Sequence, residues 1–319
     1  MIQEENKMAI TAAQVKELRE LTGAGMMDCK KALTNTDGDM DKAVEFLRAK
    51  GLATAQKKAN RVAAEGLCKA LVSEDGKKGV AVEVNSETDF VAKNERFQNY
   101  VAEVAAQAMN TTAADIDAFL AEPWALDTTK TVKEALAAQI AVIGENMNIR
   151  RFAQVSEENG FVASYIHMGG KIGVLVDVET DVVNDDIKEM AKNVAMQIAA
   201  LKPVYTSDSE VSAEYIEHEK EILMAQIKND PKESQKPEKV IQGMITGRIK
   251  KELKEICLLD QVYVKAEDGK QSVGNYVAQV AKANGANITI KGFVRYETGE
   301  GIEKKEEDFA AEVAKQMGM

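Results

Sequence analysis

The hydrophobic positions of the chain change period several times, and each change marks an element. Over residues 10–50 apolar side chains recur three and four apart, the spacing of an amphipathic helix. Val15, Leu18 and Leu21 make a first stripe, opened by Thr11 with Gln14 as a capping box and closed by Gly23-Ala24-Gly25. Met26, Cys29, Ala32 and Leu33 make a second stripe. Gly38 and the cap Asp39 precede a third, with Ala43, Val44 and Leu47. Three short helices are predicted, followed by an Ala-rich helical linker carrying Lys57, Lys58 and Arg61.

From residue 66 a larger pattern appears twice. Residues 67–73 and 80–84 read as a hairpin about Asp75-Gly76, followed by a helix with Phe97, Val101, Val104 and Ala108 on one face. Residues 161–167 and 172–178 read as a hairpin about Gly169-Gly170, followed by a helix with Ile187, Ala191, Val194 and Ile198. Each copy adds a further helix, with Val132, Leu136, Ile140 and Ile143 or with Val273, Val277, Val280 and Ala281. Each then closes on a strand, near 149–155 and 288–296. The strands correspond at an offset of 94 (Gly79 to Gly173) and the helices at 90 (Phe97 to Ile187), so the first copy holds four extra residues between them (94 − 90 = 4). Residues 212–229 and 238–256, punctuated by Pro231 and Pro237, predict an antiparallel helical hairpin inserted in the second copy. Phe309, Val313 and Met317 predict a C-terminal helix after the Gly299–Gly301 loop. The predicted fold is α+β, with a three-helix domain at 8–50 and a helical linker at 51–65. A core of two related antiparallel-sheet/helix subdomains, 66–156 and 157–298, carries the hairpin at 212–256, and a C-terminal helical module occupies 299–319.

The extra residues fall in EVNSETDFVAKN, Glu83 to Asn94. The strand of Val80, Val82 and Val84 breaks at Asn85–Asp89, residue types that stop strands and cap helices. Asp89 is placed to cap the next helix. Phe90 then either enters the chain's own core or faces a partner, and the residues alone leave both open. Met26-Met27 poses the same question. Helical periodicity buries only one of two neighbours and leaves the other to offer a flexible thioether to a partner, unless both pack on the linker.

Composition narrows the function classes. Of 319 residues, 45% are hydrophobic and 29% charged, which describes a soluble globular chain of two or three domains. Asp and Glu number 52 against 41 Lys and Arg, a net charge of −11, so the basic footprint of a general nucleic-acid binder is missing and a protein partner fits better. Cys29, Cys68 and Cys257 form no CxxC pair, which removes the zinc ribbon and the thioredoxin-type site and suits free thiols in the cytosol. The N-terminus resembles neither a signal peptide nor a transit peptide, and no apolar run approaches a membrane span, so a cytoplasmic location is expected. Helix signals begin at Ile10, which makes Met8 a candidate initiator. Gly23 to Lys30 is no phosphate loop: Cys29 stands where Gly is needed before the Lys, and Lys31 where Ser or Thr is needed after it. His167 and His218 are too few for a metal site, and no catalytic spacing of Ser, His, Cys or paired Glu is present, so neither an enzyme nor a cofactor is expected.

LRELTGAGMMDCKKAL (Leu18 to Leu33) and EVNSETDFVAKN resemble the two signature motifs of the bacterial elongation factor Ts family. IGENMNIRR (Ile143 to Arg151), SYIHMGGKIGVLV (Ser164 to Val176) and GEGIEKKEEDFAAEV (Gly299 to Val313) also resemble it, and the likeness runs from Met8 to the end. The resemblance implies a guanine-nucleotide exchange factor for elongation factor Tu, with a ubiquitin-associated-like helical domain at the N-terminus. It implies that Thr88, Asp89, Phe90 and Val91 form an intruding loop that dislocates the partner's Mg2+, Phe90 acting as the wedge. It implies that Met26 and Met27, with Arg19 and Lys30, dock on the same partner domain. Ile143, Gly144 and His167 would complete the core contact, and Phe309 would touch another face. The implied complex with elongation factor Tu is 1:1 or 2:2, without nucleic acid or membrane. The family often shows Pro-Phe at Val262-Tyr263 and can carry His at Asn193. Two other classes remain open: an adaptor acting through residues 10–50 alone, and a nucleotide-binding enzyme, for which the chain offers no loop.

Overall fold

The computed structural model describes residues 10–303. The candidate initiator Met8, the expected C-terminal helix and Phe309 lie outside the described residues. Three helices open the chain, α1 (Ala12–Thr22), α2 (Met26–Asn35) and α3 (Met40–Lys58). Their core is Val15, Leu18, Cys29, Ala32, Leu33 and Ala43, all buried. The Thr11–Gln14 capping box forms at α1, and Asp39 caps α3 by accepting from the Lys42 amide. α3 runs without interruption into the expected linker but ends at Lys58, so Arg61 and the rest of that linker are not helical, and α3 packs on α7 (Val132–Ile143).

Two three-stranded sheets come next, in the same order of connection. The first is β1 (Glu65–Val72), β2 (Lys78–Ser86) and β5 (Met147–Ser156), ordered β1-β2-β5. The second is β6 (Gly160–His167), β7 (Ile172–Thr180) and β8 (Ile288–Glu297), ordered β6-β7-β8. Between β2 and α7 lie α4 (Asp89–Ala92), α5 (Glu95–Asn110), α6 (Ile116–Ala121) and a small ribbon of β3 (Pro123–Trp124) and β4 (Asp127–Thr131). Between β7 and β8 lie α8 (Asp185–Leu201), the pair α9 (Ala213–Asn229) and α10 (Glu238–Ile256), and α11 (Val273–Asn284). The sequence pattern held no sign of α6 and the β3–β4 ribbon, because both are too short to show a period.

The correspondence between the copies reaches single atoms. Gly66 and Gly160 stand 94 apart, and each lets its strand press against a carbonyl of the neighbouring strand. A Cβ on Gly66 would lie 2.2 Å from the Val84 oxygen, and one on Gly160 would lie 1.9 Å from that of Val178, also 94 apart. At those distances only glycine fits. The caps of α7 (Thr131, Gly144) and α11 (Ser272, Gly285) both stand 141 apart.

The described residues pack as two compact units. The first holds the chain up to Lys69, Val82–Phe152 and Glu297 onward; the second holds Ala70–Ala81 and Ala153–Tyr296. In the second, the α8 face of Ile187, Ala191, Val194 and Ile198 is buried with Val174, Val176 and Val178 of β7 and Val273 and Val277 of α11. Tyr263 stacks on Tyr276 at 4.2 Å, and Asn193 donates to the Tyr276 hydroxyl at 3.0 Å while accepting from Lys265 at 2.7 Å. Tyr263 and Asn193 thus take part in the packing of this unit. α9 and α10 share a seam of Ile227, Ile241, Ile245 and Ile249.

This packing also shifts one titration. Burial, reinforced by the Glu157 carboxyl beside it, pushes Asp177 on β7 up to about 6. An unfolded Asp titrates near 3.9, so between about pH 4 and 6 the folded chain holds a proton that the unfolded chain has lost. Stability from this group is therefore greatest below that window and falls as pH rises through it. Asp177→Asn removes this contribution, and the expected outcome is a smaller drop in Tm between pH 4.5 and 6.5 than in the parent chain.

Candidate partner-binding site

The strand β2 ends at Ser86, whose hydroxyl donates to the Thr88 carbonyl at 3.1 Å. In the second copy Thr180 makes the same bond to Val182 at 3.0 Å. There the chain goes on to Asn184, the cap of α8, whereas here a four-residue helix, α4, intervenes before Asn94, the cap of α5. The four-residue excess is the length of α4.

Thr88, not Asp89, caps α4. Thr88 has the extended backbone of a cap (φ −124°, ψ 157°), and its hydroxyl accepts from the Val91 amide at 3.4 Å. Asp89 is already helical, and its carboxylate accepts from Lys93 at 2.7 Å. Its charge at the first turn still favours the helix dipole.

A single turn has no propagation to stabilise it, so α4 needs support from outside. The loop after α7 supplies it. Glu145 accepts from the Thr88 amide at 3.0 Å and from its hydroxyl at 2.6 Å. In return Glu87 accepts from the Asn146 amide at 2.5 Å. Val91 and Ala92 are buried on the inner side of α4. Phe90 is 80% exposed, with the Lys93 ammonium 6.0 Å from its ring centroid. The choice left open by the sequence is resolved: Phe90 takes no part in the core.

Ile143 and Gly144 end α7 immediately before this clamp. Gly144 closes the helix in the left-handed region (φ 88°), and its carbonyl accepts from Lys58 at 2.5 Å. Ile143 is half-buried and Gly144 is exposed.

Met26 and Met27 open α2, and both are exposed, at 58% and 74%. The expectation that one of them is buried fails. The inward face of α2 begins at Cys29, and the first turn stands beyond it. Leu21 is likewise exposed rather than part of the α1 stripe. Arg19 and Lys30 are exposed near these side chains in sequence. Cys29 is fully buried, and burial pushes its thiol up, which leaves it a packing residue. The turn between α1 and α2 meets α5: a Cβ on Gly23 would lie 3.0 Å from the Arg96 guanidinium, which also donates to Gln139 of α7 at 2.8 Å. Arg96 thereby lies against both the α1–α2 turn and α7 within the first unit.

His167 belongs to the second unit. It ends β6, and its Nδ1 lies 3.0 Å from the Tyr165 hydroxyl. Beside it Met168 is 72% exposed and held at φ 48°, an uncommon backbone for a side-chain-bearing residue. Sequence reasoning did not single it out; an apolar residue placed just before two glycines was the available signal.

Glu83 was also missed. It lies fully buried in β2, where alternation marks a strand position and nothing marks a charge partner. It accepts from Arg151 Nε at 2.6 Å, Arg150 Nη1 at 3.1 Å, Asn85 at 3.0 Å and the Gly299 amide at 2.8 Å. No group of three metal-binding side chains occurs among the described residues, and no helix there is long and apolar enough to cross a membrane.

Known proteins resemble this chain over nearly its whole length. The family model described as Elongation factor TS matches residues 87–300. An elongation factor Ts of Clostridium perfringens (strain 13 / Type A) is 55% identical over 309 residues, 97% of this chain and 99% of the relative. The chain belongs to the elongation factor Ts family. Relatives of the same name from Clostridium tetani (53% over 308 residues, 97% and 99%) and Trichlorobacter lovleyi (50% over 316 residues, 98% and 100%) agree. The elongation factor Ts match begins at Glu87, so it takes in Thr88–Val91, the Ile143–Asn146 turn and His167. The Met26–Met27 motif precedes it.

The exposure of Phe90 predicts that Phe90→Ala leaves chemical-denaturation stability within about 0.5 kcal/mol of the parent, as is usual for surface changes. Glu145→Ala leaves Thr88 without its partner; a loss of about 1–3 kcal/mol and faster hydrogen exchange at the amides of Thr88–Val91 are expected.

Proposed function

We propose that this protein is the guanine-nucleotide exchange factor of elongation factor Tu, and that it performs no covalent chemistry of its own. The observation that carries the reading is the exposure of Phe90 on a one-turn helix that Glu145 clamps from outside. Folding leaves a large aromatic in water only at a cost in hydrophobic burial, and here its backbone is held in place as well. That combination suits a pre-formed wedge for a partner's pocket.

The mechanism is linkage. A protein that binds the nucleotide-free state of its partner more tightly weakens nucleotide binding by the same factor. Mg2+ in a G-protein site requires near-ideal octahedral geometry at about 2.0–2.1 Å, so a small backbone displacement removes ligands from it. Phe90 delivers that displacement, with Thr88, Asp89 and Val91 setting its position. GDP then loses the charge that holds its phosphates and leaves; GTP takes the vacant site. Met26, Met27, Arg19 and Lys30 dock the N-terminal helices on the same partner domain, and Ile143, Gly144 and His167 add contacts from the core. Phe309 adds one from the C-terminal segment. In this reading the N-terminal helices are the ubiquitin-associated-like domain, the two sheet-and-helix repeats are related subdomains, and α9–α10 is a coiled-coil hairpin. The protein works in the cytoplasm.

The test is release of a fluorescent GDP analogue from elongation factor Tu with this protein at substoichiometric concentration. Acceleration with multiple turnovers is expected, and its absence with folded components overturns the reading. Met26→Ala combined with Met27→Ala should raise the concentration for half-maximal release about tenfold or more, with the maximal rate little changed.

A further inference from the structure

We propose that the seam between α3 and α7 binds a small monocarboxylate with an apolar tail. The cavity there, of ≈ 270 Å³, lies wholly within the first unit, with the α1–α2 turn beside it. Ala24, Val44, Leu47, Ala138 and Val142 give it apolar walls. A void of about 150 Å³ with walls of this kind takes benzene, so this one has room for a chain or ring of about ten non-hydrogen atoms. None of its lining residues is among those assigned above to the partner contact.

Charge selects the head group. Arg48, Lys50 and Lys130 line the cavity against Asp28 and Glu134, three cations to two carboxylates, an excess of one positive charge. Four of these five groups are engaged. Lys50 of α3 pairs with Asp28 of α2. Lys130 pairs with Asp127 at 2.7 Å. Glu134 accepts from the Thr131 amide at 2.8 Å in the capping box of α7. Arg48 is the exception. Its Nη2 donates to the Thr129 hydroxyl at 3.2 Å, the long end of the range, and its Nε has no partner among the described residues.

A guanidinium keeps its charge at any physiological pH, and a buried donor left unmet is costly. A carboxylate supplies what Arg48 lacks, one negative charge and two acceptor oxygens that match the guanidinium fork. The single long bond to Thr129 leaves the guanidinium free to turn its Nε–H toward the incoming group. A phosphate dianion fits less well, because its second charge would stand near Asp28 and Glu134 with no cation left to meet it. An uncharged molecule would fill the apolar part and leave Nε unmet.

This binding is independent of nucleotide exchange, and its test uses the full chain alone. Octanoate, 1-octanol and inorganic phosphate are titrated separately into isotopically labelled protein, and the amide resonances are followed. The expected result is a saturable octanoate response confined to α3, α7 and the α1–α2 turn, with octanoate bound about tenfold or more tighter than octanol. Arg48→Met keeps the apolar stem and removes the charge; it should weaken octanoate about tenfold and leave octanol unchanged. Ala138→Leu fills the cavity and should abolish both, with the amide spectrum confirming that each variant is folded. Equal affinity for octanoate and octanol in the parent chain overturns the proposal without recourse to a variant. So does a response that spreads over the surface without saturating, that survives Ala138→Leu, or that phosphate reproduces at the same amides.

Discussion

A carboxylate with no exposed surface must have its charge met inside the protein, and Glu83 meets it with two arginines, an asparagine and a backbone amide. The two arginines are neighbours on β5, Asn85 is on β2 and the amide belongs to Gly299. One side chain therefore fixes the end of the strand that leads to α4, the strand beside it and the last described turn of the chain. Removing one member of such a buried pair typically costs about 3–5 kcal/mol, because the other charge is left unmet. The interaction does little for net stability compared with apolar packing, but it admits only one register of these segments.

Beyond that fixed strand end the two copies differ by a small asymmetry. Two copies of one pattern leave their hairpins through the same hydroxyl-to-carbonyl bond, at Ser86 and at Thr180. The second copy proceeds directly to its helix; the first inserts one turn. The turn buries Val91 and Ala92 and leaves Phe90 outside, so the apolar cost of exposure falls on a single residue. Glu145 then replaces, with two hydrogen bonds, the helical propagation that four residues lack. A rigid exposed aromatic loses little conformational freedom on binding, which is how pre-organisation raises affinity without added contacts.

Long periodic elements were legible in the sequence. The face of Ile187, Ala191, Val194 and Ile198 and that of Phe97, Val101, Val104 and Ala108 are buried as their spacing required. The place of the extra turn was legible too, as a four-residue excess. Its details were not. Thr88 and Asp89 are both good caps, and the choice between them depends on Glu145, which is 57 residues away. The exposure of both Met26 and Met27 depends on where the core side of α2 begins, which periodicity fixes only to within a turn. Glu83 looks like any solvent-facing strand residue until β5 folds over it.

Phe90 is expected to act after docking, as a wedge, rather than as one more adhesive contact. The most direct measurement is the maximal rate of GDP release from elongation factor Tu at saturating Phe90→Ala protein. A maximal rate lowered about tenfold or more, with the two proteins still forming a complex, is the predicted result. A parental maximal rate reached merely at higher protein concentration would contradict it, since Phe90 would then contribute binding and nothing to displacement of the ion.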